Sequence, residues 1–140
     1  MVFYIKEPQS HRLITIDGMQ IAVTWYNLND MDVSSRIDLT YEQIKDALNS
    51  RLNAEGYQIV IEHNDDKVFY SRFVIWSNNE DALRLIWDGK ENWFVLEVAD
   101  ELPLSSATAW GDIIIVPFDH TRYDVNYADE ITKQILDSLD

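Results

Sequence analysis

A change of hydrophobic period at Gly56 constrains the fold of this chain more than any other feature. Before it, Tyr41, Ile44, Leu48 and Leu52 recur at helical spacing and make one apolar stripe. After it, Tyr57, Ile59 and Ile61 alternate with Gln58 and Glu62, which is the period of a strand. Neither pattern can bury its apolar residues in the other's geometry, so a helix must hand over directly to a sheet. Thr40 and Gln43 form a capping box, Leu39 and Ile44 supply the hydrophobic staple, and Gly56 suits the left-handed residue that ends a helix. The expected helix therefore covers residues 41–55.

Strands account for most of the rest. Residues 11–16 and 19–25 flank Asp17 and Gly18, a strong hairpin signal because a type I′ turn needs positive φ at both central positions. Residues 2–6 can add a strand before Pro8, and residues 27–38, rich in Asp and Asn, read as a loop. Beyond Gly56, the strand through Ile59 and Ile61 turns at Asn64, Asp65 and Asp66 into a longer strand over 68–76, with Phe69, Phe73 and Ile75 on one face. Strands 83–87 and 93–98 complete a four-stranded meander, with Trp87 and Trp93 placed to pair across the loop of residues 88–92. Residues 99–111, with Pro103, read as a loop. The continuous apolar run 113–116 suits a strand covered on both faces. Asp124 can cap a last helix lined by Ala128, Ile131, Ile135 and Leu139.

The expectation is an α+β fold: a largely antiparallel sheet, made of an N-terminal hairpin, a four-stranded meander and one further strand, with two packed helices. A chain of 140 residues that is 46% hydrophobic can bury one core, so residues 1–140 are expected to form a single domain. The absence of cysteine removes disulfides and thiolate chemistry and favours a reducing compartment. No apolar run approaches the length of a membrane span and the N-terminal residues do not resemble a signal peptide, so a cytoplasmic location is expected.

Charge narrows the function classes. There are 25 Asp and Glu against 11 Lys and Arg, a net charge of −14. Such a surface repels nucleic acid and anionic membranes, and no Lys/Arg cluster accompanies the aromatic residues. The asymmetry deepens toward the end of the chain: from Glu97 onward ten acids face only Arg122 and Lys133.

Candidate chemistry is sparse. His63 stands beside Asn64, Asp65 and Asp66, and His120 beside Asp119, but neighbouring residues on a strand point to opposite faces and suit a metal poorly. There is no Gly-x-Ser-x-Gly elbow and no Gly-rich phosphate loop, and no carboxylate pair stands out for acid–base work. No catalytic residue, metal or cofactor is therefore expected, and the chain reads as a non-enzyme.

What remains is an acid-rich surface with five tryptophans. The expected function is binding, and neutralisation, of a basic protein such as a nuclease or toxin. Trp110 would be the aromatic anchor, and Asp112, Asp119, Asp124, Asp129 and Glu130 the acids that steer the partner. By class-level analogy this profile looks like bacterial immunity proteins or other protein inhibitors, although no motif carries the likeness. Two other classes fit the composition: a secretion-type or general protein chaperone, and a small-ligand binder using the aromatic cluster.

Overall fold

The computed structural model describes residues 10–16, 19–25, 31–64 and 71–140. In chain order the elements are β1 (Ser10–Ile16), β2 (Met19–Trp25), α1 (Val33–Ala54), β3 (Gln58–Asn64), β4 (Arg72–Ser77), β5 (Ala82–Asp88), β6 (Trp93–Ala99), β7 (Gly111–Pro117) and α2 (Tyr127–Asp137). The fold is α+β, as expected. Strands β3 to β7 form an antiparallel meander in sequence order, but the hairpin expected to belong to the same sheet does not join it: among the described residues β1 and β2 pair only with each other, as a separate two-stranded sheet. Ile16 lies opposite Met19, the register of a two-residue turn. Asp17 and Gly18 themselves, the strand expected over 2–6, and Phe69 lie outside the described residues.

Helix α1 begins eight residues earlier than its sequence suggests. Its N-cap is Asp32, whose carboxylate accepts a hydrogen bond from the Ser35 amide at 2.8 Å. Thr40 is not a cap but a buried mid-helix residue whose hydroxyl donates to the Arg36 carbonyl at 2.8 Å. The loop expected over 27–38 is therefore helical from Val33 onward. Its Asp and Ser residues, usual in loops, here make a cap, and Ile37 extends the apolar stripe by one turn. At the other end, Gly56 has φ of 91°, with Gly56 N–H bonded to Asn53 O and Tyr57 N–H to Leu52 O. These two bonds make a Schellman motif, which requires the left-handed residue that glycine supplies.

The core lies between one face of the five-stranded sheet and the two helices. Ile44, Leu48 and Leu52 of α1 and Ile131 and Ile135 of α2 pack with Val74, Trp76, Leu85, Phe94 and Leu96. The Trp76 indole N–H, fully buried, reaches Asn49 Oδ1 of α1 at 3.0 Å, so its one donor is satisfied. Trp87 and Trp93 do not pair. Trp87 is opposite Phe94 and Trp93 opposite Asp88, which sets the two indoles on different faces, and Trp87 packs instead on Phe94 and Phe118.

Both edges of the sheet depart from expectation. Strand β7 is an edge strand, not one covered on both sides: Val116 is buried but Ile115 is 41% exposed. Strand β3, at the opposite edge, has all seven residues exposed, and a bulge between Ile59 and Ile61 interrupts its alternation. Helix α2 starts at Tyr127 with Asn126 as N-cap, not at Asp124, because the Asp124 carboxylate is taken up by Arg122. Among the described residues no helix is long and apolar enough to cross a membrane.

Candidate functional site

Cross-strand register builds the first half of the site on the sheet face turned away from the helices. Ile75, Arg84, Glu97 and Asp112 lie opposite one another on β4, β5, β6 and β7, and directly opposed residues share a face. Arg84 and Glu97 form an ion pair at 2.8 Å in the middle of this row, and Glu97 is only 9% exposed. Trp110, the last residue before β7, lays its ring on Arg84, with the guanidinium carbon 4.2 Å from the ring centroid. The indole is thus braced by a cation that is itself held by a carboxylate. Beside it opens a shallow recess of about 360 Å³, lined by Val98, Asp100, Glu101, Ala109, Trp110 and Gly111. Asp100, Glu101 and Asp112 are exposed, and among the described residues none of the three takes part in an ion pair.

The second half lies at the other end of β7. Arg122 grips Asp124 through two hydrogen bonds of 2.7 and 3.1 Å, and Glu130 through two of 2.7 and 3.2 Å. Contact with both carboxylates raises the pKa of Arg122, and Arg122 in turn holds Asp124 below the usual carboxylate range. Asp119 accepts from both the hydroxyl and the amide of Thr121, which lower its pKa. Asp129 accepts a hydrogen bond from Gln43 of α1, tying the start of α2 to the first helix.

These acids sit on a loop that α1 pins. The Arg36 guanidinium, buried to 6% exposure, donates to the carbonyls of Arg122 and His120 at 2.5 and 2.8 Å and stacks 4.1 Å from the centre of the Tyr123 ring. Sequence reasoning missed Arg36 because it lay in a stretch read as loop. Its only signal is a basic residue one position before Ile37 of the apolar stripe.

The six residues expected to act together therefore divide. Trp110 and Asp112 stand at the start of β7, and Asp119, Asp124, Asp129 and Glu130 beyond its end, separated by a seven-residue strand of roughly 20 Å. Asp100 and Glu101, which the sequence reading left inside a general acidic loop, join the first group. His63 stacks on Phe73 with ring centroids 5.3 Å apart, and among the described residues no three His, Asp or Glu side chains converge as metal ligands would. Comparison with protein-family models, with curated proteins and with solved structures returns no match.

Proposed function

We propose that this protein is a non-enzymatic binding domain that engages a basic protein, with Trp110 and the recess beside it at the centre of the contact. The observation that carries this reading is the contrast between the two acidic groups. Beyond β7, Asp124 and Glu130 share Arg122 while Asp119 and Asp129 are held by hydrogen bonds from Thr121 and Gln43, whereas Asp100, Glu101 and Asp112 have no ion-pair partner among the described residues and surround a half-buried indole. Uncompensated acids around an anchored aromatic ring suit a lysine or arginine side chain: the carboxylates draw it in, and the ring and the recess desolvate it. Neutralising a nuclease or toxin is one use of such a surface, because a protein that binds nucleic acid presents the complementary charge. Its action would be exclusion of the nucleic acid rather than chemistry.

The test is to capture basic chains from the native host at low salt, identify them, and measure binding rates at two salt concentrations. Replacing Asp100, Glu101 and Asp112 by their amides should slow association at least about tenfold at low salt and much less at high salt. The same change at Asp124 and Glu130 should have a smaller effect. Trp110→Ala should chiefly speed dissociation, by on the order of 2 kcal/mol. Association that ignores both salt and these three acids would remove the reading.

A further inference from the structure

The two edges of the five-stranded sheet are finished differently. Strand β7 carries Gly111, Asp112 and Pro117, residue types that discourage another strand from pairing. Strand β3 carries no proline and no lysine, and its one acid, Glu62, is engaged by Lys45 of α1 at 2.5 Å. Its middle is three consecutive exposed aliphatic residues, Ile59, Val60 and Ile61, at 38, 53 and 44% exposure. Apart from the bulge, nothing on the strand blunts an edge whose outer backbone groups have no strand partner among the described residues.

We propose that β3 pairs with β3 of a second copy of this chain, joining two five-stranded sheets into one antiparallel sheet. Local charge fits this occupant. The chain as a whole is strongly acidic, but the carboxylates beside β3 are matched by cations, Glu62 by Lys45 and Asp38 and Glu42 by Arg72, so this edge offers no unpaired acid to draw a basic partner and none to repel a second β3. The β3 and β7 edges lie four strand spacings apart, roughly 19 Å, which exceeds the screening length of about 8 Å at physiological salt. Two copies meeting at β3 therefore keep their β7 edges, with the unpaired Asp112, about 40 Å apart. A register that sets Ile61 against Ile61 of the other copy places each Glu62 opposite Val60 and not opposite its own counterpart, so no like charges face each other. Both Trp110 surfaces stay free, so self-association and capture of a basic partner use different edges.

Sedimentation of the purified chain over a range of concentrations tests the dimer. The dimer fraction should grow with concentration and with added salt, since salt screens the repulsion between two acidic copies; binding of a basic partner should respond to salt in the opposite direction. Ile61→Lys and Ile61→Glu each set like charges face to face in the proposed register, and should each weaken self-association by roughly tenfold or more whichever sign is introduced. Hydrogen exchange on the unaltered protein provides a readout that does not depend on how the variants fold: β3 amides should gain protection at high concentration. A monomer at every concentration, a dimer indifferent to both Ile61 variants, or protection of β3 only in the presence of a basic chain would overturn the proposal.

Discussion

Two arginines show how single side chains position this molecule's surface. Arg36 is nearly buried, yet it meets two carbonyl groups and the face of Tyr123, so its charge is spread over hydrogen bonds to the segment that leads into α2. Hydrogen bonds to a charged group are worth about 1.5–3 kcal/mol, so Arg36→Ala should lower unfolding free energy by about 2–3 kcal/mol and increase hydrogen exchange between residues 119 and 126. Arg36→Lys, which cannot span both carbonyls, should recover only part of the loss; full recovery would show that the charge alone matters. Arg72 plays a related part near β3, stacking 3.9 Å from the Tyr41 ring centre and bonding Glu42 and Asp38. Burial nonetheless holds the Asp38 carboxyl above its ordinary pKa, and burial likewise raises that of the Tyr41 phenol. Hydrogen-bonding side chains, more than apolar ones, thus set where the acids of this protein sit.

Elements behave as their terminal residues dictate. Since Asp32 caps α1, Asp32→Ala should destabilise the protein by about 1 kcal/mol, with Asp32→Ser restoring most of it; denaturant midpoints of the three proteins measure this. If Thr40 were the cap, Asp32→Ala would be silent. The start of α2 depends on its acids in a pH-dependent way. Asp119 and Asp124 both have pKa values below the ordinary carboxylate value, through Thr121 and Arg122 respectively. A carboxylate whose pKa is depressed on folding stabilises the folded state above its unfolded pKa of about 3.9, and that stabilisation is lost as pH falls through the lower folded value. Asp124→Asn should therefore be less stable than the unaltered chain at neutral pH, and the two should converge below about pH 4 in denaturant titrations. A difference that persisted unchanged into acid would show that the Arg122 contact is not what matters. The strand elements were legible because alternation and turn residues are local: β5, β6 and the paired strands β1 and β2 all fall within a residue of their expected bounds. The start of α1 was not, because Asp and Ser serve caps and loops equally well until the tertiary core decides whether Ile37 has something to pack on.

At the scale of the whole molecule, net charge describes the protein poorly until its distribution in space is known. Along the chain the acids after Glu97 form one group, but a single strand separates them into an uncompensated set around Trp110 and a set held by Arg122, Thr121 and Gln43. Sequence alone was sufficient for the α+β class, for two amphipathic helices whose Leu48 and Ile135 are fully buried, and for the first four strands of the meander, though not for where the fifth joins it, because periodicity and turns depend on near neighbours in the chain. Tertiary structure decided which strands stand at the edges, that β1 and β2 form their own sheet, and that Arg36 reaches across 86 residues to hold the loop at Arg122. It also decided which carboxylates remain unpaired. The physical reason is range: a helix stripe or a hairpin is written within a few residues, whereas an ion pair, a cation on a ring or an open sheet edge exists only when distant segments are brought within a few ångströms.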